Sequence, residues 1–230
     1  MRTSKTGTAE QRTAVVAGAT GLVGRELTIR LLGERRYARV VALTRRPLPL
    51  TDARLTVIDA AYERLSSVLN DITGKDGPLD VFCCLGTTIR AAGSEEAFRR
   101  VDHDYVLALG RWARARAAHR MVVISALGAD PASRVFYNRV KGETERDLAA
   151  LGLASLVIVR PSLLAGEREE FRVGERLAVI ATRPLRALLP ARVRPIAATD
   201  VAQSMLNAAL AEAPPALIDS AAMQGAAETA

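Results

Sequence analysis

The sequence predicts an α/β fold in which a doubly wound parallel sheet carries a small C-terminal cap. Short apolar runs rich in β-branched residues alternate with segments of helical periodicity, the pattern of βαβ units covered on both faces. The chain has 230 residues, of which 49% are hydrophobic and 25% charged, as in one globular domain with a sizeable core. We expect a single domain over residues 12–220, with substrate-side cap elements in 161–215 and disordered tails at 1–11 and 221–230.

Each predicted strand is a short aliphatic or β-branched run bounded by polar or turn-forming residues. In chain order the runs are Thr13–Ala17, Arg39–Thr44, Arg54–Ile58, Asp80–Leu85, Arg120–Ser125, Ala154–Arg160 and Ala216–Asp219. The predicted helices place apolar residues three or four positions apart. They cover Leu22–Leu32, Tyr62–Leu69, Ser94–Ala118, Tyr137–Leu151, Glu175–Leu189 and Thr199–Ala211. We expect the hydroxyl of Thr199 to cap the last of these helices.

Composition narrows the classes of function. The net charge is +7, but aromatic residues make up only 4% of the chain and leave little for stacking on bases, so nucleic acid is not a predicted partner. Cys83 and Cys84 are neighbours on a strand and point to opposite faces, which argues against a disulfide. His103 and His119 are expected at the surface or at helix ends, and without a Cys/His cluster no metal site is predicted.

The cellular location is predicted from the lack of a membrane-spanning run and of a secretory signal. No uncharged run is long enough to span a bilayer. The N-terminal residues are polar and lack the apolar stretch of a secretory signal. The default expectation is therefore a cytoplasmic protein without a membrane partner, either a monomer or a homodimer.

A glycine-rich loop, GATGLVG at 18–24, joins the first predicted strand to the first predicted helix. Gly18 suits the tight turn, Gly21 allows a close approach to a pyrophosphate, and Gly24 lets the helix pack against the strand. The free N–H groups and the positive dipole end of the helix would favour the phosphates. In this context, at the start of a βαβ unit, the loop predicts a Rossmann-type dinucleotide site.

The second predicted strand ends about twenty residues later in Thr44-Arg45-Arg46-Pro47. An acidic residue at this place would bond the adenosine ribose and repel a 2′-phosphate, whereas two guanidinium groups offer it charge-assisted contacts. The alternative interpretation is a solvent-exposed basic loop that binds no cofactor. We predict that Arg45 and Arg46 select NADP(H) over NAD(H).

Three further residues predict acid–base chemistry. Tyr137 and Lys141 are four residues apart on one face of a predicted helix, and Ser125 ends the preceding strand, where open α/β sheets bind ligands. A phenol ordinarily has a pKa of about 10, and a nearby ammonium favours its ionised form. We expect Tyr137 to transfer a proton, Ser125 to hold a substrate carbonyl, and Lys141 to tune the phenol and bond the nicotinamide ribose.

These motifs together resemble the short-chain dehydrogenase/reductase superfamily, and more narrowly its atypical branch. The likeness covers roughly residues 13–210 and its motifs are specific in combination. The additional segments that carry it are CCLGTT at 83–88, AG at 92–93, VDHDYV at 101–106, LGAD at 127–130, YNRVKGE at 137–143 and RPSLL at 160–164. The chain departs from the pattern at Asp102, because extended members of the superfamily often carry an asparagine there.

The resemblance implies a cofactor site beyond the three glycines and two arginines. The residues that it adds are Thr20, Leu22, Val23, Asp59, Ala60, Leu85, Gly86, Thr87, Pro161 and Leu163. The pyrophosphate would be lined by Thr20, Leu22 and Val23, and the adenine by Asp59 and Ala60. The ribose and nicotinamide would lie beside Leu85, Gly86 and Thr87. The nicotinamide side would also be contacted by Pro161 and Leu163. Ser125, Tyr137 and Lys141 would form the active triad.

The sequence thus predicts an NADP(H)-dependent oxidoreductase that acts on a small carbonyl or alcohol substrate. Two alternatives stay open. A sugar-nucleotide epimerase uses similar residues and redelivers the hydride, although the segment after Pro161 is short for a nucleotide-sugar pocket. A non-catalytic protein that senses NADPH would share the fold and the cofactor, but it would have no need of the triad.

Overall fold

The structure, a computed structural model, describes residues 11–60, 77–165 and 190–227. Its strands are β1 (Arg12–Ala17), β2 (Tyr37–Thr44), β3 (Leu55–Asp59), β4 (Leu79–Cys83), β5 (Arg120–Ile124), β6 (Leu156–Arg160), β7 (Leu164–Ala165), β8 (Ile196–Ala197) and β9 (Leu217–Asp219). Its α-helices are α1 (Leu22–Gly33), α2 (Ile89–Ala92), α3 (Glu95–Arg99), α4 (Tyr105–Ala115), α5 (Phe136–Ala149), α6 (Ala198–Leu210) and α7 (Ser220–Ala227). The predicted helices at 62–69 and 175–189 lie outside the described residues.

The main sheet has the strand order β3-β2-β1-β4-β5-β6-β9, and each neighbouring pair is parallel. The chain proceeds outward from β1 through β2 and β3, then crosses to β4 and proceeds the other way. This reversal creates a crevice at the carboxyl ends of β1 and β4, where such sheets bind ligands. The predicted Rossmann-type α/β fold is therefore confirmed, and β7 pairs with β8 in a separate two-stranded sheet.

Both faces of the sheet are buried, which explains why the strands are almost wholly apolar. Val15 and Val16 of β1 are both fully buried but belong to different clusters, since successive side chains point to opposite faces. Trp112 of α4 packs into the cluster on one face. Leu27 of α1 and Met205 of α6 pack into the cluster on the other.

The long helix predicted over Ser94–Ala118 is helical without a break from Glu95 to Ala115, but it is not α-helical throughout. Ser94 does begin it, since its hydroxyl accepts the N–H of Ala97 at 3.1 Å. The chain then changes from α3 to a π-helical segment over Arg100–Asp104 before α4 begins. A π-helical segment inside an α-helix is uncommon and often occurs at a functional site.

The π-helical segment turns two polar residues inward. Asp102 is fully buried, and His103 is only 8% exposed, so the expectation of a surface position for His103 is wrong. The His103 imidazole lies between two carboxylates, with Nδ1 2.7 Å from Asp104 Oδ1 and Nε2 3.0 Å from Asp147 Oδ2. The carboxylates replace water as hydrogen-bond partners, which is why the ring tolerates burial.

The C-terminal region differs from the expectation in two respects. Helix α6 packs beside α1 in the layer that covers one face of the sheet. It begins at Ala198 without a side-chain cap, and the Thr199 hydroxyl instead bonds Asp200 at 3.3 Å. The predicted tail at 221–230 contains most of α7, because Asp219 accepts the N–H of Ala222 at 2.9 Å and Met223 is buried.

The amino edge of the sheet, where the strands begin, contains a buried ionic network. Asp80 is fully buried and accepts two hydrogen bonds from Arg12, at 2.8 and 2.9 Å, and one from the hydroxyl of Tyr37 at 2.7 Å. His119 Nδ1 lies 3.2 Å from the same carboxylate. Buried Arg120 donates to three carbonyl groups at the end of α6, where a cation also interacts favourably with the helix dipole.

None of the helices within the described ranges is long and apolar enough to cross a membrane.

Candidate functional site

The glycine loop lies at the carboxyl edge of the sheet, where β1 and β4 diverge. Gly18 has φ +84°, and a Cβ on it would lie 2.6 Å from the carbonyl oxygen of Cys84. A Cβ on Gly24 would lie 2.2 Å from the carbonyl oxygen of Gly18. Only glycine fits at these two positions, so the loop brings the first turn of α1 directly against the strands.

The N-terminus of α1 is open toward solvent. Its N-cap residue, Gly21, is exposed and makes no side-chain cap, and the first turn holds no acidic residue. Thr20 and Leu22 are half-buried and Val23 is buried. A cleft of about 260 Å³ adjoins this turn, lined by Thr20, Gly21, Leu22, Arg25, Glu26, Ala197, Ala198 and Thr199. Backbone N–H groups without a side-chain cap, at the positive end of a helix, suit a diphosphate. The sequence analysis did not predict that residues 197–199 line this cleft.

The ends of β2 and β3 lie side by side. Thr44 is in register with Asp59, and its carbonyl oxygen accepts the N–H of Ala60 at 2.7 Å. Ala60 is buried and Asp59 exposed, and Arg45 and Arg46 follow Thr44 with exposed side chains. The structure thus brings the four residues predicted for the adenosine end of a cofactor to one edge.

Ser125 follows the last residue of β5 and is 6% exposed. Its backbone N–H donates to Val159 at 2.8 Å, but its hydroxyl oxygen is buried and has no hydrogen-bond partner among the described residues. A buried hydroxyl without a partner costs about 1–3 kcal/mol. Such an atom at the ligand-binding edge of a parallel sheet fits a substrate or cofactor that supplies the partner.

Helix α5 is held tightly against the loop that follows Ser125. A Cβ on Gly142 would lie 2.2 Å from the backbone of Asp130, and the Asp130 N–H donates to the carbonyl of Asn138 at 3.1 Å. Asn138 adjoins Tyr137, which is half-buried with its ring 5.5 Å from that of Phe98. The close packing therefore fixes the helix face that carries Tyr137 and Lys141.

Lys141 is buried and its ammonium forms an ion pair with Asp102, with 2.7 Å between Nζ and Oδ1. Burial alone would lower the pKa of Lys141, but the negative charge of Asp102 and the neighbouring Tyr137 outweigh it and the pKa is raised. The ammonium is thus kept charged beside the phenol. Sequence reasoning singled out Asp102 as a departure from the family but did not find this ion pair. A charged residue inside an otherwise apolar helix face was the available signal.

The loop after β4 lies over this ion pair. The N–H of Thr87 donates to Asp102 Oδ2 at 2.9 Å. A Cβ on Gly86 would lie 3.5 Å from Asp102 Oδ1 and 3.8 Å from Lys141 Nζ, while Leu85 is buried beneath the loop. Leu85, Gly86 and Thr87 are therefore brought to Lys141.

Pro161 and Leu163 follow β6 at the same edge of the sheet. Pro161 is buried and its carbonyl accepts the N–H of Leu127 from the loop after Ser125. The Leu163 side chain is 60% exposed, and its carbonyl accepts the N–H of Ile196. Pro161 thus joins the loop that follows Ser125.

Both adjacent cysteines are free thiols, with Cys83 buried and Cys84 half-buried. Burial raises the pKa of Cys83 to about 11 and also raises that of Cys84. Within the described ranges no group of three or more His, Cys, Asp or Glu residues could hold a metal ion.

A family model described as NAD(P)H-binding matches residues 18–212, the span from the glycine loop to the end of α6. The chain belongs to the NAD(P)H-binding family. Among curated members, it is 34% identical over 179 residues to "Protein FMP52, mitochondrial" of Saccharomyces cerevisiae, covering 75% of this chain and 76% of that protein. It is 34% identical over 172 residues to "Protein HTATIP2" of Rattus norvegicus, covering 74% and 69%. These relatives confirm the resemblance to the atypical short-chain dehydrogenase/reductase branch.

Solved structures with the same fold include short-chain dehydrogenases and sugar-nucleotide proteins. An oxidoreductase of the short-chain dehydrogenase/reductase family from Burkholderia thailandensis superposes with a TM-score of 0.68, at 20% identity over 94% of both chains. MoeE5 in complex with UDP-glucose and NAD gives a TM-score of 0.66, at 19% identity over 89% of this chain and 74% of that one. At these identities the likeness establishes the Rossmann-type fold of this family member.

Proposed function

We propose that the protein is an NADP(H)-dependent oxidoreductase that interconverts a small carbonyl compound and its alcohol. The cofactor, when bound, supplies or accepts the hydride. The glycine loop and the open N-terminus of α1 would hold its diphosphate, and Arg45 and Arg46 would hold its 2′-phosphate. Lys141 would bond the nicotinamide ribose with the N–H groups that its ion pair leaves available.

The proton chemistry falls to Ser125, Tyr137 and Lys141. Tyr137 gives its phenolic proton to the carbonyl oxygen in reduction and takes it back in oxidation. Ser125 donates its hydroxyl hydrogen to the same oxygen and so orients the carbonyl. The positive charge of Lys141 would stabilise the negative charge that develops on the phenolic oxygen during the proton transfer.

The observation that carries this proposal is the buried hydroxyl of Ser125, which has no hydrogen-bond partner among the residues that the structure describes. A residue kept only for packing would bond the protein or be apolar, because an unsatisfied buried hydroxyl is costly. Its place at the carboxyl end of a central strand, before the helix that carries Tyr137 and Lys141, favours a site that a ligand completes.

The Tyr137→Phe variant tests the assignment, with Tyr37→Phe as the matched control. Each loses one phenolic oxygen, the first at the carboxyl edge and the second at the amino edge. We expect Tyr137→Phe to lower NADPH-linked turnover about 10²–10⁴-fold, the usual share of a general acid, with an unchanged NADPH dissociation constant. Tyr37→Phe should retain turnover. Native rates in Tyr137→Phe, on a panel of aldehydes, ketones and quinones, would contradict the roles assigned.

Cofactor preference is testable with another matched pair, because an Arg-Arg dipeptide lies at each end of β2. Arg45→Ala/Arg46→Ala removes the pair after the strand, and Arg35→Ala/Arg36→Ala removes the pair before it. A charge-assisted contact contributes about 1.5–3 kcal/mol. We expect the first variant to bind NADPH about 10–100-fold more weakly with little change for NADH, and the second to bind both as the native protein does. Equal native affinity for NADPH and NADH would overturn the preference.

A sugar-nucleotide epimerase is the second candidate, favoured by the fold that the protein shares with MoeE5 bound to UDP-glucose and NAD. An epimerase would retain its cofactor through purification and gain thermal stability with UDP-sugars. A protein that only senses NADPH would bind it without turnover on any substrate. Net NADPH oxidation by an aldehyde, ketone or quinone separates both from the oxidoreductase.

The compartment and the oligomeric state also belong to this proposal. We place the protein in the cytoplasm as a monomer or homodimer, with a small molecule as its substrate. The yeast relative is named mitochondrial, so fractionation of cells that express the tagged chain tests the location. Light scattering of the purified protein tests the oligomeric state.

A further inference from the structure

Asp102 binds two parts of the site at once. Its side chain is fully buried, one carboxylate oxygen pairs with the Lys141 ammonium at 2.7 Å, and the other accepts the N–H of Thr87 at 2.9 Å. The first contact reaches α5 and the second reaches the loop after β4. The two groups that the carboxylate joins are both predicted to contact the ribose and nicotinamide.

The backbone around Asp102 is fixed as firmly as its side chain. It lies in the π-helical segment over Arg100–Asp104, and its carbonyl accepts the hydroxyl of Thr144 at 3.0 Å. That hydroxyl also lies 2.7 Å from the carbonyl of Val140, so it bridges α5 and the π-helical segment. The widened π-helical turn therefore points the carboxylate at Lys141.

We propose that Asp102 is a positioning residue of the active site, which holds the Lys141 ammonium and the Gly86–Thr87 backbone in one arrangement through a single buried carboxylate. The role rests on the proposed function, since it positions groups for the cofactor and for Tyr137. Where extended members of the superfamily often carry a neutral asparagine, this chain has a charge that neutralises the ammonium.

The negative charge of Asp102 affects the protonation of the titratable groups that face it. Lys141 of α5 and Cys83 of β4 both interact electrostatically with Asp102, and Tyr137 of α5 interacts with Lys141. Asp102 raises the pKa of Lys141 and of Cys83, so removal of its negative charge makes proton loss easier for both. Because Lys141 is buried, its ammonium is kept protonated largely by Asp102. If Asp102 acted through packing alone and not through its charge, its replacement by asparagine would not move these protonation equilibria.

The first test observes Lys141 directly and needs no turnover. The chain has three lysines, Lys5, Lys75 and Lys141, so protein labelled with ¹⁵N at lysine Nζ gives few signals. The signal missing from Lys141→Arg identifies Lys141. We expect its titration midpoint to fall by about 1–3 pH units in Asp102→Asn. It should fall less in Asp102→Glu, which keeps the charge and guards against a misfolded first variant. An unchanged midpoint in folded Asp102→Asn would overturn the proposal.

The second test measures kcat for NADPH-linked reduction against pH. We expect the alkaline limb of Asp102→Asn to move to lower pH by about 1–3 units, because the Lys141 ammonium loses its proton more easily without the carboxylate. Asp102→Glu should restore much of the native profile. If the Lys141 midpoint shifts in Asp102→Asn but the native protein shows no NADPH-linked turnover, the positioning role is supported and the proposed function is contradicted. If Asp102→Asn turns over normally, with an unchanged Lys141 midpoint and an unchanged pH profile of kcat, only the positioning role is contradicted.

Discussion

Two fully buried aspartates lie at opposite edges of one parallel sheet and have different surroundings. At the amino edge, Asp80 accepts three hydrogen bonds from Arg12 and Tyr37 and contacts His119. At the carboxyl edge, Asp102 holds Lys141 and one backbone N–H, and the hydroxyl of Ser125 has no partner among the described residues. Within the described part of the chain, both carboxylate oxygens of Asp80 thus accept hydrogen bonds from the protein, whereas the Ser125 hydroxyl has no such bond. Stability is therefore expected to depend on the amino edge, and ligand binding on the carboxyl edge.

The largest effect should come from Asp80→Ala. Loss of one partner from a buried ionic network leaves the other charge uncompensated, which typically costs about 3–5 kcal/mol. We expect the free energy of unfolding, measured by urea denaturation, to fall by that amount. Glu96→Ala is the control, because Glu96 pairs with Arg100 on the surface and is 83% exposed. A similar loss in both variants would remove the distinction between the buried network and an ordinary ion pair.

A smaller loss is expected from Gly18→Ala at the carboxyl edge. The positive φ and the approach to Cys84 penalise any side chain there by about 1–3 kcal/mol, and the loop distorts where the diphosphate would bind. Unfolding free energy and NADPH affinity should fall together. Gly33→Ala at the end of α1 is the control, since a Cβ there would meet nothing within 4 Å. If Gly18→Ala binds NADPH as tightly as the native protein does, the glycine loop does not form the cofactor site.

The two tyrosine variants sharpen the comparison in stability as well as in turnover. Tyr37→Phe removes a buried hydrogen bond to Asp80 and should lower the free energy of unfolding by about 1–2 kcal/mol. Tyr137→Phe should leave that free energy nearly unchanged. Denaturation curves of the two proteins check this, and equal losses would mean that Tyr137 is also a structural residue.

The smallest effect concerns the two thiols at the carboxyl end of β4. Because burial raises the pKa of Cys83 to about 11 and that of Cys84 as well, both should resist a disulfide reagent at pH 8 in the folded protein. Both should react after denaturation. The unfolded chain releases thiol protons at lower pH than the folded one, so stability should decline as pH rises from about 9 toward 11. Rapid labelling of the native protein would contradict this.

The sequence predicted what depends on local patterns. The glycine loop, the Tyr137–Lys141 spacing and the central strands are encoded within a few residues. The seven strands of the main sheet lie within two residues of their expected ends, whereas the two-residue strands β7 and β8 were not predicted. The π-helical turn and the Asp102–Lys141 ion pair depend on contacts between distant elements, and the sequence offers only a charged residue inside an otherwise apolar helix face as a signal for the ion pair. Helix α7 was missed because its Ala-rich segment lacks periodicity, and it is held instead by Asp219 and buried Met223.

Hydrogen–deuterium exchange with and without NADPH tests most directly whether the carboxyl edge binds the cofactor. We predict slower exchange on NADPH addition in the segments 18–25, 44–47, 85–88 and 125–130, with no change at 11–14, 77–80 and 118–121 of the amino edge. The same protein without cofactor is the reference, and adenosine alone should protect only the segment at 44–47. Unchanged exchange throughout, or protection confined to the amino edge, would contradict the account.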